Sequence, residues 1–348
     1  MGMYKLISVI GHFGKGRNFL DGQTVKTKIV TKGLVECYGE RAVLTMDTAG
    51  NRIVSLLKAP FYVIYAVCCS KNIIIFPAHN AVRVYVPLLA LMKCLFSKRK
   101  LHYCVIGGWL PSFVENRALL SCCLEKFDGI YVETNTMYSA LKKKGYSNLV
   151  LMPNCKNLNI LFKTELVFSN TEPLRLCTFS RVSKMKGISD AFDAVQYVNC
   201  KLGRVVFSLD IFGPIDEGQG EWFREIQETF PGYVKYCGCV DFDKSVEVLK
   251  SYYALLFPTR YFTEGVPGTI IDAYASGVPV IASKWQSFSD IIDENITGVG
   301  YEFGNVQALK DTLLGIAQDI NKINRMKVAC LAKAHMYAPR TAISLLRI

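Results

Sequence analysis

Apolar runs of four to eight residues alternate with longer stretches whose apolar positions recur at helical spacing, along almost the whole of this 348-residue chain. In the first half, residues 5–10, 41–47, 72–77, 101–106, 129–133 and 148–152 read as strands. Between them, Val25, Ile29, Val30 and Leu34 share one helical face, and residues 53–69, 81–96, 111–127 and 135–144 read as further helices. Residues 153–173 are polar and irregular, the pattern of a linker. A second series follows, with strands at 174–179, 205–212, 233–236, 254–257 and 278–282 and helices at 188–199, 221–229 and 245–251. Strands separated by single helices pair in parallel, so the pattern predicts an α/β chain of two doubly wound sheets. Ligands of such sheets bind beyond the carboxyl ends of the strands.

One segment breaks the monotony. Residues 263–283, TEGVPGTIIDAYASGVPVIAS, combine a proline at the place where a helix can begin, Pro267, with an apolar helical run through Ile270, Ile271, Ala273 and Tyr274. Gly277 and Pro279 close that helix, and a buried strand follows. A helix opening at Gly265, Val266, Pro267, Gly268 and Thr269 offers unpaired N–H groups and a positive dipole end, and its two glycines let a bulky anion approach the backbone. The spacing predicts a diphosphate cradle. Glu264 lies just before the helix and Asp272 eight residues on, roughly 7 to 8 Å along the axis from the first turn at ~1.5 Å per residue. An acid favouring its own helix dipole, beside a solvated Asp, is the simpler alternative for the pair.

Residues 180–187, SRVSKMKG, end a strand and enter a helix. Arg181 and Lys186 stand five apart there, a guanidinium that binds phosphate as a fork and an ammonium that adds a point charge. A solvated basic turn is the alternative, and Lys184 is a spare cation.

Taken together, these segments resemble the Glu-x7-Glu signature of the GT-B glycosyltransferases of family 4, with Asp272 in place of the second Glu. GQTVKT at 22–27 resembles the opening glycine loop of the bacterial surface-polysaccharide transferases of that family, which puts Gly22, Gln23 and Lys26 on the acceptor side. The end of the chain, YAPRTAISLL, resembles the family's final helix, which crosses back to the first domain. The resemblance covers nearly the whole chain. It implies two Rossmann-like domains facing across a cleft, 1–160 with 337–348 for the acceptor and 170–336 for the nucleotide-sugar. It further implies that Glu264 contacts the donor sugar, Asp272 holds the ribose hydroxyls, and Arg181 and Lys186 grip the diphosphate. Transfer would retain configuration without metal or cofactor, with a nucleotide-diphosphate sugar, a UDP-sugar favoured, as co-substrate. Catalysis would then be electrostatic, by cations and helix amides beside the leaving diphosphate. In one place the chain departs from the pattern. Many members carry a His after a strand of the first domain, at the place where Gly107, Gly108 and Trp109 follow the strand 101–106 here. His12 and His79 are the nearby candidates, with a plain polar role as the simpler reading.

Composition narrows this picture. The basic glycine turn GHFGKGR at 11–17 lacks P-loop spacing, because Lys15 is followed by Gly16 and no Gly lies five residues before Gly14. Thirteen cysteines with no leader-like segment read as reduced thiols of a cytosolic protein, and Cys68-Cys69, Cys122-Cys123 and Cys237-Gly238-Cys239 lack zinc spacing. Asp241-Phe242-Asp243 matches the Asp-x-Asp of metal-dependent transferases literally, but its place before a helix predicts Asp243 as a cap. The net charge of +12 is unevenly placed: residues 1–166 hold 22 Lys and Arg against 9 Asp and Glu, the remainder 19 against 20. No apolar run reaches the length of a spanning helix. Residues 81–96 with SKRKL at 97–101, Lys142 to Lys144, Lys15 and Arg17 instead predict a peripheral association with an anionic membrane surface, on the cytoplasmic face. Nucleic acid is the rival polyanion, without a reading motif to support it. The expected activity is transfer to a saccharide, lipid-diphosphate-linked, in surface polysaccharide synthesis. A nucleotide-sugar epimerase and a non-catalytic sugar-nucleotide-binding subunit are the alternatives.

Overall fold

The structure, a computed structural model, describes residues 5–14 and 22–348. Lys15, Gly16 and Arg17 of the basic turn lie outside them. The chain forms two compact units, residues 1–157 with 337–348, and residues 158–336.

The first unit runs β1 (Lys5–Gly11), α1 (Gly22–Tyr38), β2 (Val43–Asp47), α2 (Arg52–Cys69), β3 (Ser70–Ile75), α3 (His79–Leu95) and β4 (Lys100–Cys104). It continues through α4 (Leu110–Phe113), α5 (Ala118–Glu125), β5 (Gly129–Val132), α6 (Asn135–Lys143) and β6 (Leu149–Leu151). Its six strands lie in the order β2-β1-β3-β4-β5-β6, every pair parallel. Helices cover the sheet, so Ile7, Val9, Ile73, Ile74, Leu101 and Ile130 are fully buried, which is why the strands read as apolar runs without polar alternation. The direction of winding reverses between β1 and β3, where the carboxyl ends of the two strands diverge into opposite crossovers.

A single helix was expected over 111–127, but α4 and α5 are separate. The Arg117 guanidinium donates to the Phe113 carbonyl, a side chain taking a ladder acceptor, and Arg117 itself leaves the helical region at φ −135°, ψ 66°. Far along the chain, a helix at Pro339–Ser344 completes this unit. Gly33 on α1 makes room for it, since a Cβ there would stand 1.9 Å from Ile343 Cδ1.

The second unit comprises β7 (Leu174–Phe179), α7 (Ile188–Leu202), β8 (Phe207–Phe212), α8 (Gly220–Gln227), β9 (Val234–Gly238), α9 (Ser245–Leu249), β10 (Ala254–Phe257) and α10 (Gly268–Ala275). Next come β11 (Val280–Ser283), α11 (Phe288–Ile291), β12 (Gly298–Tyr301), α12 (Val306–Gln318), α13 (Asn321–Asn324) and α14 (Lys327–Ala334). The last helix, α15 (Pro339–Ser344), belongs to the first unit, where Ala342 and Ile343 join the core beneath α1. The second sheet is also parallel, in the order β12-β11-β10-β7-β8-β9, and reverses between β10 and β7.

β12 has no counterpart among the expected strands, because Gly298 and Gly300 give it little strand propensity. Packing explains them. A Cβ on Gly298 would lie 2.3 Å from the Val280 carbonyl oxygen, and one on Gly300 would lie 2.5 Å from both Lys284 and the Phe288 ring.

Candidate functional site

Strands β7 and β10 are neighbours at the reversal point of the second sheet, so the loops leaving their carboxyl ends share one crevice. The loop after β7 carries Arg181 to Lys186 and enters α7. The loop after β10 carries Thr259 to Pro267 and enters α10. Two contacts lock the loops together. Gly187 sits at φ +69°, and a Cβ on it would be 1.9 Å from the Pro258 carbonyl oxygen, so only glycine permits this approach. The Arg260 N–H donates to the Met185 carbonyl at 2.9 Å, and its guanidinium forks onto Asp190 at 2.9 and 2.5 Å.

This geometry brings Lys186 onto Glu264. The ammonium donates to both carboxylate oxygens, at 3.0 and 2.9 Å, with the side chains 13% and 17% exposed. Thr259 donates to the same carboxylate at 3.2 Å, while the rings of Phe257 and Tyr261 lie 5.6 and 5.2 Å from the ammonium. An opposed pair this sheltered, at a crevice, leaves the cation available to a stronger anion and the carboxylate available to hydroxyl donors.

Pro267 occupies the N-cap position of α10, in extended conformation, so Gly268 and not Pro267 is the first helical residue. The Pro267 carbonyl accepts from Ile270 and Ile271. Gly265, Val266 and Pro267 are buried, and Gly268 and Thr269 are half-buried. The hydroxyls of Thr178, Ser183 and Thr269, on β7, on its loop and on the first turn of α10, are buried with no hydrogen-bond partner among the described residues. A buried hydroxyl left so costs about 1–3 kcal/mol unless a ligand or water completes it.

Other expected residues lie differently. Arg181 does not join Lys186; it is exposed and pairs with Asp216 at 2.9 Å. Asp272 is the fifth residue of α10 and 4% exposed. Lys184 sits 5.7 Å from the Trp222 ring. Asp243 caps no helix: it lies within a 3-10 turn, Phe242–Lys244, and Lys244 holds the N-cap position of α9 without a side-chain cap bond. Asp241 turns instead to Lys244, at 3.2 Å.

In the first unit, Gly22 opens α1 into open space, and Gln23 donates to the Phe76 carbonyl at 2.7 Å, at the reversal between β1 and β3. His12 Nδ1 lies 2.6 Å from the Thr24 hydroxyl. Lys26, expected on the acceptor side, is turned inward: it is 1% exposed, and its ammonium donates to Glu133 at 2.6 Å and to the Val105 carbonyl at 3.0 Å. A buried ammonium needs such partners, and its four-carbon stem reaches them from α1. Glu133, Thr259, Arg260 and Asp190 escaped the sequence reading. Their partners are distant in sequence, and none sits in a recognisable motif.

A sequence profile of the family described as Glycosyl transferases group 1 matches residues 173–319. The amylovoran biosynthesis glycosyltransferase AmsK of Erwinia amylovora is 24% identical over 170 residues, 47% of this chain and 40% of AmsK, so the alignment spans less than half of that relative. Among solved structures, Alr3699/HepE of Anabaena, crystallised with UDP and glucose, superposes with a TM-score of 0.71 at 14% identity over 98% of each chain. TarM of S. aureus, in complex with fondaparinux, alpha-GlcNAc-glycerol and UDP, gives a TM-score of 0.64 at 15% identity over 83% of this chain and 57% of TarM. These likenesses show the two-sheet fold that the sequence predicts.

Proposed function

We propose, from the premise that residues 173–319 are a group 1 glycosyltransferase domain in a chain of GT-B fold, that the protein transfers a sugar from a nucleotide-diphosphate donor to a saccharide acceptor with retention of configuration. The observation that carries this is the Lys186–Glu264 pair at the glycine-lined start of α10. A diphosphate arriving there competes with Glu264 for the ammonium, and the first-turn N–H groups of α10 receive its oxygens. Glu264, released, accepts from hydroxyls of the donor sugar. As the anomeric C–O bond breaks, its electron pair leaves with the diphosphate, whose growing charge Lys186 and the helix amides stabilise. The acceptor oxygen bonds to the same face of the sugar and its proton passes to the departing phosphate. Arg181 reaches the diphosphate once it exchanges Asp216 for phosphate, and Asp272 holds the ribose. HepE and TarM were both solved with UDP, which supports uridine as the base.

A thermal-shift series with nucleoside diphosphates and their sugars tests the donor side. UDP at a hundred times its Kd stabilises by about 2.7 kcal/mol if it binds only the native state. Asp272→Asn is expected to diminish the UDP shift while sparing that of inorganic pyrophosphate. If no nucleotide moves the melting temperature, the donor assignment is wrong; if nucleotides bind but the donor is neither transferred nor hydrolysed, the chain is a binding subunit.

The acceptor, on this reading, is lipid-linked, and the first unit rests on the inner face of the cell membrane. From Ala59 onward helix α2 is apolar all round, but the residues buried there form one stripe, Ala59, Val63, Ala66 and Val67. On its outer side Leu57 is 66% and Phe61 73% exposed, with Val54, Ile64 and Tyr65 beside them, and Leu91 and Leu95 stand exposed on the adjacent α3. From residue 48 to 114 the chain holds eight Lys and Arg and no Asp or Glu. Among the described residues no helix is long and apolar enough to cross a membrane, so such a face suits lying in the interface. Flotation with anionic liposomes at low salt, reversed by high salt and lost in Leu57→Glu with Phe61→Glu, is the expected result. No flotation at low salt would remove the membrane from the proposal, and equal flotation with neutral lipid would remove the anionic surface from it.

A further inference from the structure

The Gly107-Gly108-Trp109 segment, where the sequence departs from its family pattern, builds something of its own. Gly107 takes φ +79°, and a Cβ there would press to 3.2 Å on the Trp109 ring. The indole N–H donates to the Ile106 carbonyl at 2.7 Å, fixing the ring plane. His79, exposed at the start of α3 after β3, stacks on this indole with centroids 3.8 Å apart at 27°. Phe113 meets both rings edge-on, at 5.4 and 5.1 Å.

Two guanidiniums are held on the same phenyl ring, Arg117 at 4.2 Å and Arg83 at 5.2 Å from its centroid. Neither pairs with a carboxylate among the described residues. Glu115, the nearest acid in sequence, is taken by Lys144 at 3.1 Å. Partial desolvation against the indole, together with the charges of Arg83 and Arg117, pushes the His79 imidazole below its usual pKa. Like charges gathered without a carboxylate repel, and two guanidiniums held on one ring, of which Arg117 also donates to the Phe113 carbonyl, suit an oxyanion. A flat aromatic stack beside it suits the apolar face of a pyranose.

We propose that His79, Trp109, Arg83 and Arg117 form an acceptor subsite for an anionic saccharide, the sugar ring against the His79–Trp109 stack and its phosphate or carboxylate on the two arginines. The proposal rests on the transferase reading and adds the charge of the acceptor to it. The subsite lies beyond the carboxyl ends of β3 and β4, the edge at which Gly22 and Gln23 also stand.

Its test is binding to the full chain, read by ligand-observed NMR, with three probes: a short-chain prenyl-diphosphate-linked monosaccharide, a disaccharide ending in glucuronate, and the matching neutral disaccharide. At least one anionic probe is expected to bind tenfold or more tightly than the neutral one, and which of the two does so identifies phosphate or carboxylate as the group read. Arg83→Gln with Arg117→Gln should abolish that preference, and Arg83→Lys with Arg117→Lys should keep a good part of it. The nucleotide thermal shift, read on the same variants, stays native and reports that they fold. Equal binding of charged and neutral probes, or a preference that survives the double Gln variant, overturns the proposal. Loss of the nucleotide shift in the unaltered protein would instead sink the transferase reading beneath it.

Discussion

Glu264→Gln is expected to lower kcat/KM for sugar transfer by three orders of magnitude or more, equivalent to about 4 kcal/mol at ~1.4 kcal/mol per tenfold. The carboxamide keeps the shape and one acceptor, but it cannot hold the Lys186 ammonium at 2.9 and 3.0 Å through two charged oxygens. Lys186→Met should do at least as much harm, since among the described residues no other ammonium touches Glu264. Arg181→Ala is expected to follow them, with a loss smaller by the work of separating Arg181 from Asp216 in the unaltered protein. Melting temperatures should change little, because the pair sits at a crevice and not in a core. Steady-state kinetics with the identified donor decide the matter: turnover of Glu264→Gln and Lys186→Met within tenfold of native would place the donor elsewhere.

The largest effect on stability is expected from Lys26→Met. Lys26 and Glu133 are both nearly inaccessible, and the ammonium stands 2.6 Å from the carboxylate. Removing the ammonium takes from a buried carboxylate the charge that stands 2.6 Å away, and breaking a buried pair in this way typically costs about 3–5 kcal/mol. The Gly107 N–H, which donates to the second Glu133 oxygen at 3.4 Å, is too long a bond to replace the ammonium. Lys26→Met with Glu133→Leu should recover most of the loss, because two apolar side chains of similar volume avoid the desolvation altogether. Urea unfolding of the three variants is the measurement. A single Lys26→Met variant as stable as the native protein would mean that the pair is far wetter than its burial implies.

The α/β architecture was legible because parallel strands covered on both faces must be apolar throughout, and Ile73, Ile74, Ile130 and Ile281 stand out against helical neighbours. β12 was not legible, because its glycines answer to the Val280 carbonyl and the Phe288 ring, neighbours that no local pattern announces. At the candidate site, Glu264 and Lys186 could be singled out separately from the glycines and basic residues around them. Their union could not, since it depends on Gly187 lying against Pro258, seventy-one positions away in the sequence. Lys26 misled for a related reason: a lysine just inside a helix start reads as exposed until its counter-ion on a distant loop is seen. The Asp241–Asp243 reading failed on one turn, because the 3-10 segment moves the cap position to Lys244.

The first unit is assembled from two pieces of chain, and that has a kinetic side. Ile343 packs into the gap left by Gly33, and the Arg347 N–H donates to the Tyr131 hydroxyl at 3.0 Å, across 216 positions. Closing a loop that long adds little entropy beyond that of a shorter one, since the cost grows only with the logarithm of length, but it imposes an order of events. During synthesis residues 5–151 emerge ahead of the second unit and yet cannot cover the α1 face until residues 337–348 have left the ribosome. At ~5–20 residues per second, the stretch from 158 to 336 holds that surface open for on the order of ten seconds or more. The unit made first is therefore the one finished last.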